Sequence, residues 1–386
     1  MPASGGHPHE GELRVRRFKT LSLAAPWLTL VTSLGTAAEK PVTTLEIGAP
    51  APDFDLPGVD GKRHTLKDFA AAKVLVVLFT CNHCPTAQAY EARVKKLHAD
   101  FKEKGVVLVA ISPNDARAVR LDELGYTDLG DSLQDMKIRA KDQGFEFPYL
   151  YDGDTQTTSR AYGVQATPHV YIFDGGRKLR YVGRIDDAEV REVKTHDARN
   201  AIEALLAGRS VPVEKTRVFG CSTKWSDKRE DAKKALARWD AEPVELRPID
   251  PTGAKALAKN DTKKLRVVNI WASWCGPCVT EMPELVTIHR MYRGREFEFH
   301  SVSIDEPEKG EQALEILKRE HASFANHHYK SGSRDQLAEA LDPQWGGPIP
   351  HTVVIAPGGK VLFRKSGQID PLELKRAIVG FLGRTY

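Results

Sequence analysis

Five cysteines stand at positions 81, 84, 221, 275 and 278, and four of them form two C-x-x-C pairs. Two thiols at that spacing can close a disulfide at the start of a helix, so the pattern points to thiol–disulfide exchange. The second pair lies in the stretch Arg266 to Pro283, RVVNIWASWCGPCVTEMP. Val267, Val268, Ile270 and Trp271 read as a short buried strand, and Cys275-Gly276-Pro277-Cys278 then opens a helix. Unpaired N–H groups and the macrodipole favour a thiolate at a helix start. Cys275 is therefore the attacking sulfur, and Cys278, one turn further in, resolves the mixed disulfide. Glu281 follows Cys278 by three residues on the same helical face, as either a proton carrier for the resolving thiol or an exposed helix acid.

The first pair reads Thr80-Cys81-Asn82-His83-Cys84-Pro85. An imidazole at position 83 can stabilise a thiolate and raise the reduction potential, which favours dithiol exchange at Cys81 and Cys84 with His83 as the tuning group. Cys221 is left over, as either a third member of this site or a buried small hydrophobe. Metal chemistry is the competing use of C-x-x-C. The pairs are 275 − 81 = 194 residues apart, far from a zinc-ribbon spacing, and Pro85 and Val279 stand where haem attachment needs histidine. A Cu(I) carrier using Cys81, His83 and Cys84 is the non-enzymatic alternative. No resident metal or cofactor is implied. His169 and His351, each after a proline, read as packing residues at strand starts.

An internal echo decides the architecture. KVLVVLFTCNHC answers LRVVNIWASWC, GVVLVAIS answers EFEFHSVSI, and TPHVYIFDGGRKLRYVGRID answers IPHTVVIAPGGKVLFRKSGQID, with Pro168 standing where Pro350 stands. Strand patterns alternate with amphipathic helices in each copy, so each predicts a central mixed sheet covered by helices on both faces. The reading is an α/β chain of two tandem domains, 44–225 and 244–386, joined by a charged helical linker over 226–243. Residues 1–38 precede them as a signal peptide or N-terminal anchor.

The WASWCGPC run followed by Glu281-Met282-Pro283 resembles the TlpA/ResA branch of the thioredoxin superfamily over 244–386. That resemblance implies a thioredoxin fold, a cis-proline at Pro350 beside the dithiol, and the proton-carrier role for Glu281. The buried aspartate of cytosolic thioredoxins falls at Asn269, six residues before Cys275. Residues 44–225 resemble the peroxiredoxin-like branch that carries TCNHCP (Thr80 to Pro85) and GCS-x-KW (Gly220 to Trp225), together with Ile111-Ser112-Pro113-Asn114. The resemblance places Cys221 in that domain, and the echo gives Pro168 the part of Pro350. A peroxiredoxin sets its peroxidatic cysteine in P-x-x-x-T-x-x-C. With Cys84 in that role, Val77 and Cys81 replace the proline and threonine, which leaves thiol peroxidase as the alternative activity.

Composition excludes little else. Net charge is 56 − 52 = +4, and the leader holds four basic and two acidic residues, so the remainder is near 52 − 50 = +2; neither nucleic acid nor an anionic surface is called for. Arg14, Arg16, Arg17 and Lys19, an apolar run from Leu21 to Leu34 and small residues at Thr36, Ala37 and Ala38 read as a secretory leader. Export to an extracytoplasmic, periplasmic space follows, with membrane contact only through a retained leader. Partners are then protein thiols or disulfides and an electron donor or acceptor of unspecified identity. With CNHC the more oxidising pair, electrons would run from Cys275–Cys278 to Cys81–Cys84 wherever the 226–243 segment lets the sites meet.

Overall fold

A computed structural model describes residues 42–386; the leader read over 1–38 lies outside the described residues. The first half opens with a small antiparallel pair, β1 (Asp55–Pro57) and β2 (Arg63–Thr65). Its main sheet uses β3 (Val74–Phe79), β4 (Val106–Ser112), β5 (Tyr149–Tyr151), β7 (His169–Phe173) and β8 (Leu179–Gly183), in the order β5-β4-β3-β7-β8. β3, β4 and β5 run parallel, while β7 pairs antiparallel with both β3 and β8. Helices α1 (Pro85–Phe101), α2 (Leu133–Gln143), α3 (Thr157–Tyr162) and α4 (Asp197–Leu206) cover it. A two-residue pair, β6 (Ala166–Thr167) with β9 (Cys221–Ser222), ties the later GCS segment to the main sheet's loop.

Every residue of β3 is buried, because a strand central to a two-sided sheet meets helices or loops on both faces. Alternation along the strand then sorts its side chains. Val74, Val76 and Leu78 join Tyr90, Val94 and Leu97 of α1 in one core, whereas Leu75, Val77 and Phe79 join Phe54, Tyr162 and Tyr171 in another.

The second half repeats the plan. After α5 (Arg229–Asp240), the strands β10 (Arg247–Ile249), β11 (Leu265–Trp271), β12 (Phe297–Ser303), β13 (Ala325–Tyr329), β14 (His351–Ile355) and β15 (Val361–Ser366) form a six-stranded sheet. Its order is β10-β13-β12-β11-β14-β15, with β14 antiparallel to both of its neighbours and the remaining pairs parallel. Helices α6 (Pro251–Lys259), α7 (Gly276–Tyr292), α8 (Gly310–Arg319), α9 (Arg334–Leu341) and α10 (Pro371–Leu382) flank it. Leu265, Val267 and Trp271 of β11 face α7 and α10, while Val268 and Ile270 pack with α6 and α9. Asn269 alternates with Val267 and Trp271, so a polar side chain is delivered to the α7 side of the sheet.

The two halves are docked. Tyr292, the last residue of α7, donates its hydroxyl to Thr127 O at 2.8 Å. Arg295 donates to Gly125 O at 2.7 Å, and its guanidinium lies 3.8 Å from the Tyr126 ring centroid. The buried Asp128 accepts from Arg384 at 2.6 Å and Arg376 at 3.3 Å. The connecting stretch 226–243 is itself clamped. Arg229 pairs with Asp115 on one side, and Asp240 and Glu242 accept from Arg290 and Arg293 on the other, each within 3.0 Å. No helix among the described residues is long and apolar enough to cross a membrane.

Candidate active sites

Both dithiols sit at the carboxyl end of the central strand of their sheet, where the chain turns into a long helix. Strand register sets the two sites against each other. Phe79 of β3 pairs with His169, and Ile270 of β11 pairs with His351; each histidine directly follows a cis-proline, Pro168 or Pro350. Counting five residues on from either strand position reaches Cys84 and Cys275. Each caps its helix. Cys84 Sγ accepts from Ala87 N at 3.4 Å, and Cys275 Sγ accepts from Cys278 N at 3.3 Å. The same register sets Ala87 at the place of Cys278 and Cys81 at the place of Ala272. The first dithiol is thus shifted one turn upstream, around a cap cysteine held in common.

In the second site Cys275 and Cys278 are joined in a disulfide. Glu281 is buried beneath it on α7, not an exposed helix acid. Its Oε1 accepts from Asn269 Nδ2 and its Oε2 from Ile369 N, both at 3.0 Å. Burial pushes its carboxyl above the ordinary range, and these two hydrogen bonds only partly oppose that. Asn269 Nδ2 also meets Thr352 Oγ1 at 3.0 Å, while Asn269 Oδ1 is buried with no donor. Asp305 anchors the turn before the dithiol, accepting from Ser273 N at 3.0 Å and Ser273 Oγ at 2.6 Å. Trp274, half exposed beside Cys275, offers an apolar face.

The first site is built differently. Tyr90 and Leu78 occupy the positions of Glu281 and Asn269, so this half has no carboxyl–amide pair under its thiols. Three sulfurs converge instead: Cys81 and Cys84 are buried, and Cys221 lies half-buried against them. Cys221 is brought there by its pairing with Thr167, the residue before the cis-proline. The neighbouring Gly220 passes so close that a Cβ there would meet Thr167 O at 2.1 Å, which gives the glycine of GCS a steric reason. Lys224 of the same segment donates its N–H to Asn114 Oδ1 at 2.9 Å. Thr167 supplies two contacts: its hydroxyl lies 3.2 Å from Cys81 Sγ, and its carbonyl oxygen, 3.3 Å from Cys84 Sγ, accepts from that sulfur only while it carries its proton.

The electrostatics single out Cys84. Burial alone would raise its thiol, but hydrogen bonds from Cys221 and Cys81, the charge of His83 and the Ala87 N–H carry it well below the ordinary thiol value. Burial, with the hydrogen bond to Cys84, pushes Cys81 well up; Cys221 goes up through its hydrogen bond to Cys84 and its burial. His83 is fully enclosed, with Nδ1 at 2.5 Å from Asp131 Oδ2. Cys81, His83 and Asp131 have ligand-type atoms within 4.8 Å of one another. The short His83–Asp131 contact is nevertheless that of two groups sharing a proton. His83 Nδ1 is therefore taken by Asp131, and Nε2 is the ring nitrogen that the Cu(I) alternative would use.

His169 and His351 belong to neither site. His169 hydrogen-bonds Tyr171 at 3.1 Å and is pushed down to about 3 by burial; His351 is held by Asp342 at 3.0 Å and Ser366 at 2.9 Å. The residues missed from the sequence are Asp131, Asn114, Thr167 and the part played by Asn269. Asn114 was visible as the end of the ISPN run, but nothing local marks Asp131, which reaches the CNHC loop from 48 residues away.

The AhpC/TSA family matches residues 47–182, and the Redoxin family matches residues 250–377. Thiol:disulfide interchange protein HelX of Rhodobacter capsulatus is 28% identical over 148 residues, which cover 36% of this chain and 77% of that protein. Thiol-disulfide oxidoreductase ResA of Oceanobacillus iheyensis is 30% identical over 95 residues, 25% of this chain and 45% of that protein. Thiol:disulfide interchange protein CycY of Rhizobium leguminosarum is 29% identical over 142 residues, 36% of this chain and 69% of that protein. Two sheets of this topology, each with a cysteine-capped helix at its central strand, define a tandem of thioredoxin-family domains. The chain is an AhpC/TSA domain followed by a Redoxin domain, and it is a thiol–disulfide oxidoreductase.

Proposed function

We propose that this is an exported oxidoreductase with two separate dithiol centres, acting on protein thiols and disulfides. The observation that carries this reading is the shared position of Cys84 and Cys275, each capping a helix at the end of a central strand. Arg14 to Ala38 supports export, and two dithiols suit an oxidising space.

In the second domain, reduced Cys275 attacks a substrate disulfide as its thiolate. One substrate sulfur leaves as a thiolate, and the other stays bonded to Cys275. Cys278 then attacks Cys275 Sγ, closing the Cys275–Cys278 disulfide and releasing the second substrate thiol. The proton from Cys278 passes to Glu281, whose raised affinity for it comes from burial. In the first domain Cys84 is the attacking sulfur, because its neighbours stabilise the thiolate. Cys81 and Cys221 remain protonated and each hydrogen-bonds Cys84, so either can resolve its mixed disulfide once its proton is lost. Cys221 is the one partly open to solvent.

The far end of α7 docks at Thr127, and Gln88, one turn on from Cys84, donates to the adjacent Tyr126 O at 3.0 Å, so the two centres lie toward opposite ends of α7. Cys275 lies about 25 Å along α7 from Tyr292, at a rise of about 1.5 Å per residue. Sulfur exchange needs contact, so the centres work on separate substrates unless the halves undock.

Trapping tests the assignment. Cys278→Ser and the double variant Cys81→Ser/Cys221→Ser should each accumulate mixed disulfides, on Cys275 and Cys84 respectively, identified by mass. Adducts on any other cysteine would reject it. Thiol peroxidase is less well supported, since the hydroxyl beside the first dithiol, that of Thr167, reaches Cys81 and not Cys84.

A further inference from the structure

The carboxylate of Asp131 is fully enclosed and collects four donors. Asn82 N and His83 N reach Oδ1 at 2.9 and 3.0 Å; His83 Nδ1 and Asn114 Nδ2 reach Oδ2 at 2.5 and 2.7 Å. Both middle residues of the C-N-H-C turn are thus held by one side chain. Further contacts fix the turn from the sides: Asn82 Nδ2 donates to Gly130 O at 2.7 Å, and Tyr149 OH to Asn82 Oδ1 at 3.2 Å.

The second domain shows what part of this is general. Asp305 accepts from Ser273 N, and Ser273 matches Asn82 by strand register. An acid that pins the turn before the cap cysteine is therefore common to both halves. In the second half Oδ2 also accepts from Ser303 Oγ at 2.7 Å, and the residue before the cap cysteine is Trp274. Only in the first half does the acid also grip an imidazole. Holding the turn does not require that grip, so the grip calls for a separate reason.

We propose that Asp131 is the positioning residue of the first centre: it locks the His83 ring beside Cys84 and keeps it protonated, so that the attacking sulfur is held as a thiolate. This rests on the reading of Cys84 as that sulfur. A buried acid that donates nothing and accepts Nδ1–H favours the imidazolium, and a fixed imidazolium favours an adjacent thiolate. The titratable groups facing His83 are Asp131, Cys81, Cys84 and Lys224, and those facing Cys84 are Cys221, Cys81, His83 and Tyr386. Lys224 opposes the histidine charge but is itself paired with Glu123 at 2.6 Å. The direction agrees: burial would lower His83, yet the Asp131 charge and hydrogen bond leave it raised.

The test is iodoacetamide labelling of the reduced full chain as a function of pH, resolved to single cysteines by mass, in Asp131→Asn, His83→Gln and the double variant. Each single change should slow Cys84 about tenfold in mildly acid buffer and move its labelling midpoint up by about one pH unit. The double variant should be no slower than His83→Gln alone, because Asp131 acts through the imidazole. An acid that merely holds the loop would slow Cys84 as much in the His83→Gln background as in the native one, and that outcome overturns the proposal. Should Asp131→Asn fail to fold, His83→Gln decides alone, since an unchanged Cys84 rate there also overturns it. Loss of Cys84's lead over Cys81 and Cys221 in the native chain would instead reject the underlying assignment.

Discussion

Asn269 and Glu281 face each other across 3.0 Å beneath the second dithiol, one on the central strand and the other on the helix that Cys275 caps. An amide in that place can donate to the ionised carboxylate, and after a half-turn its oxygen can accept from the protonated acid. A second carboxylate would instead couple the two groups and prevent both from ionising together. The buried, donorless Asn269 Oδ1 is the acceptor such a turn brings into use.

Glu281→Gln should therefore slow resolution of a Cys275 mixed disulfide by at least about tenfold while leaving its formation little changed. Rapid-quench kinetics with a model disulfide separates the two steps. Equal slowing of both would remove the proton-carrier role.

The same residue makes a stability prediction. The folded chain holds the Glu281 proton more tightly than the unfolded chain does. Its favourable contribution is full below the unfolded carboxyl value, about 4.3, and fades as pH rises through the higher folded value. Glutamine keeps the neutral form at every pH, accepting from Ile369 N and donating to Asn269 Oδ1. Glu281→Gln should thus melt higher than the native chain at neutral pH and match it in acid. Calorimetry across that range reads the difference, and a gap that widens in acid would contradict the sign.

Labelling rates should rank the cysteines of the reduced chain. Cys84 is the lowered thiol of the first centre, while Cys81 and Cys221 are raised by burial and by sharing hydrogen bonds with it. Below neutral pH an alkylating reagent should mark Cys84 first in that centre, and Cys275 before Cys278 in the other. Cys221 leading Cys84 would reverse the assignment.

Peroxide should oxidise Cys84 slowly. Val77 and Cys81 stand where a peroxidatic motif has proline and threonine, and Thr167 Oγ1 is turned to Cys81. Stopped-flow oxidation at peroxiredoxin speed in a Cys81→Ser chain would restore the peroxidase reading.

Asp128→Asn should loosen the docked halves. Asp128 is nearly inaccessible, but Arg376 and Arg384 are about a third exposed or more, so solvent screens part of the pairing. A loss of about 1–2 kcal/mol is expected, smaller in high salt. Undocking should also permit disulfide exchange in which reduced Cys275–Cys278 becomes a disulfide as a disulfide of Cys84 in the first centre is reduced, which the native chain performs far more slowly. Urea unfolding measures the first effect, and site-resolved mass analysis after mixed reduction measures the second.

The tandem arrangement was legible in the chain because the echo is carried by consecutive residues: strand, turn, cysteine and helix follow without a break. The capping cysteines, Glu281 beside Cys278 and the prolines before His169 and His351 all come from that local grammar. Burial of Glu281 was not legible, since it depends on Asn269 arriving from the neighbouring strand and Ile369 from 88 residues away. Cys221 likewise could be read as a core residue or a third sulfur until β9 set it against Thr167. Asp131 left no trace, because an aspartate in a loop looks the same whether water or an imidazole holds its oxygens. The freedom of the 226–243 segment was also undecidable: its charges could lie in solvent or, as folded, clamp Asp115, Arg290 and Arg293. Sequence determines which groups are adjacent along the chain and so which chemistry is available. Which sulfur is charged, and which centre can meet which, depends on distances between segments far apart in the chain, and only packing sets those.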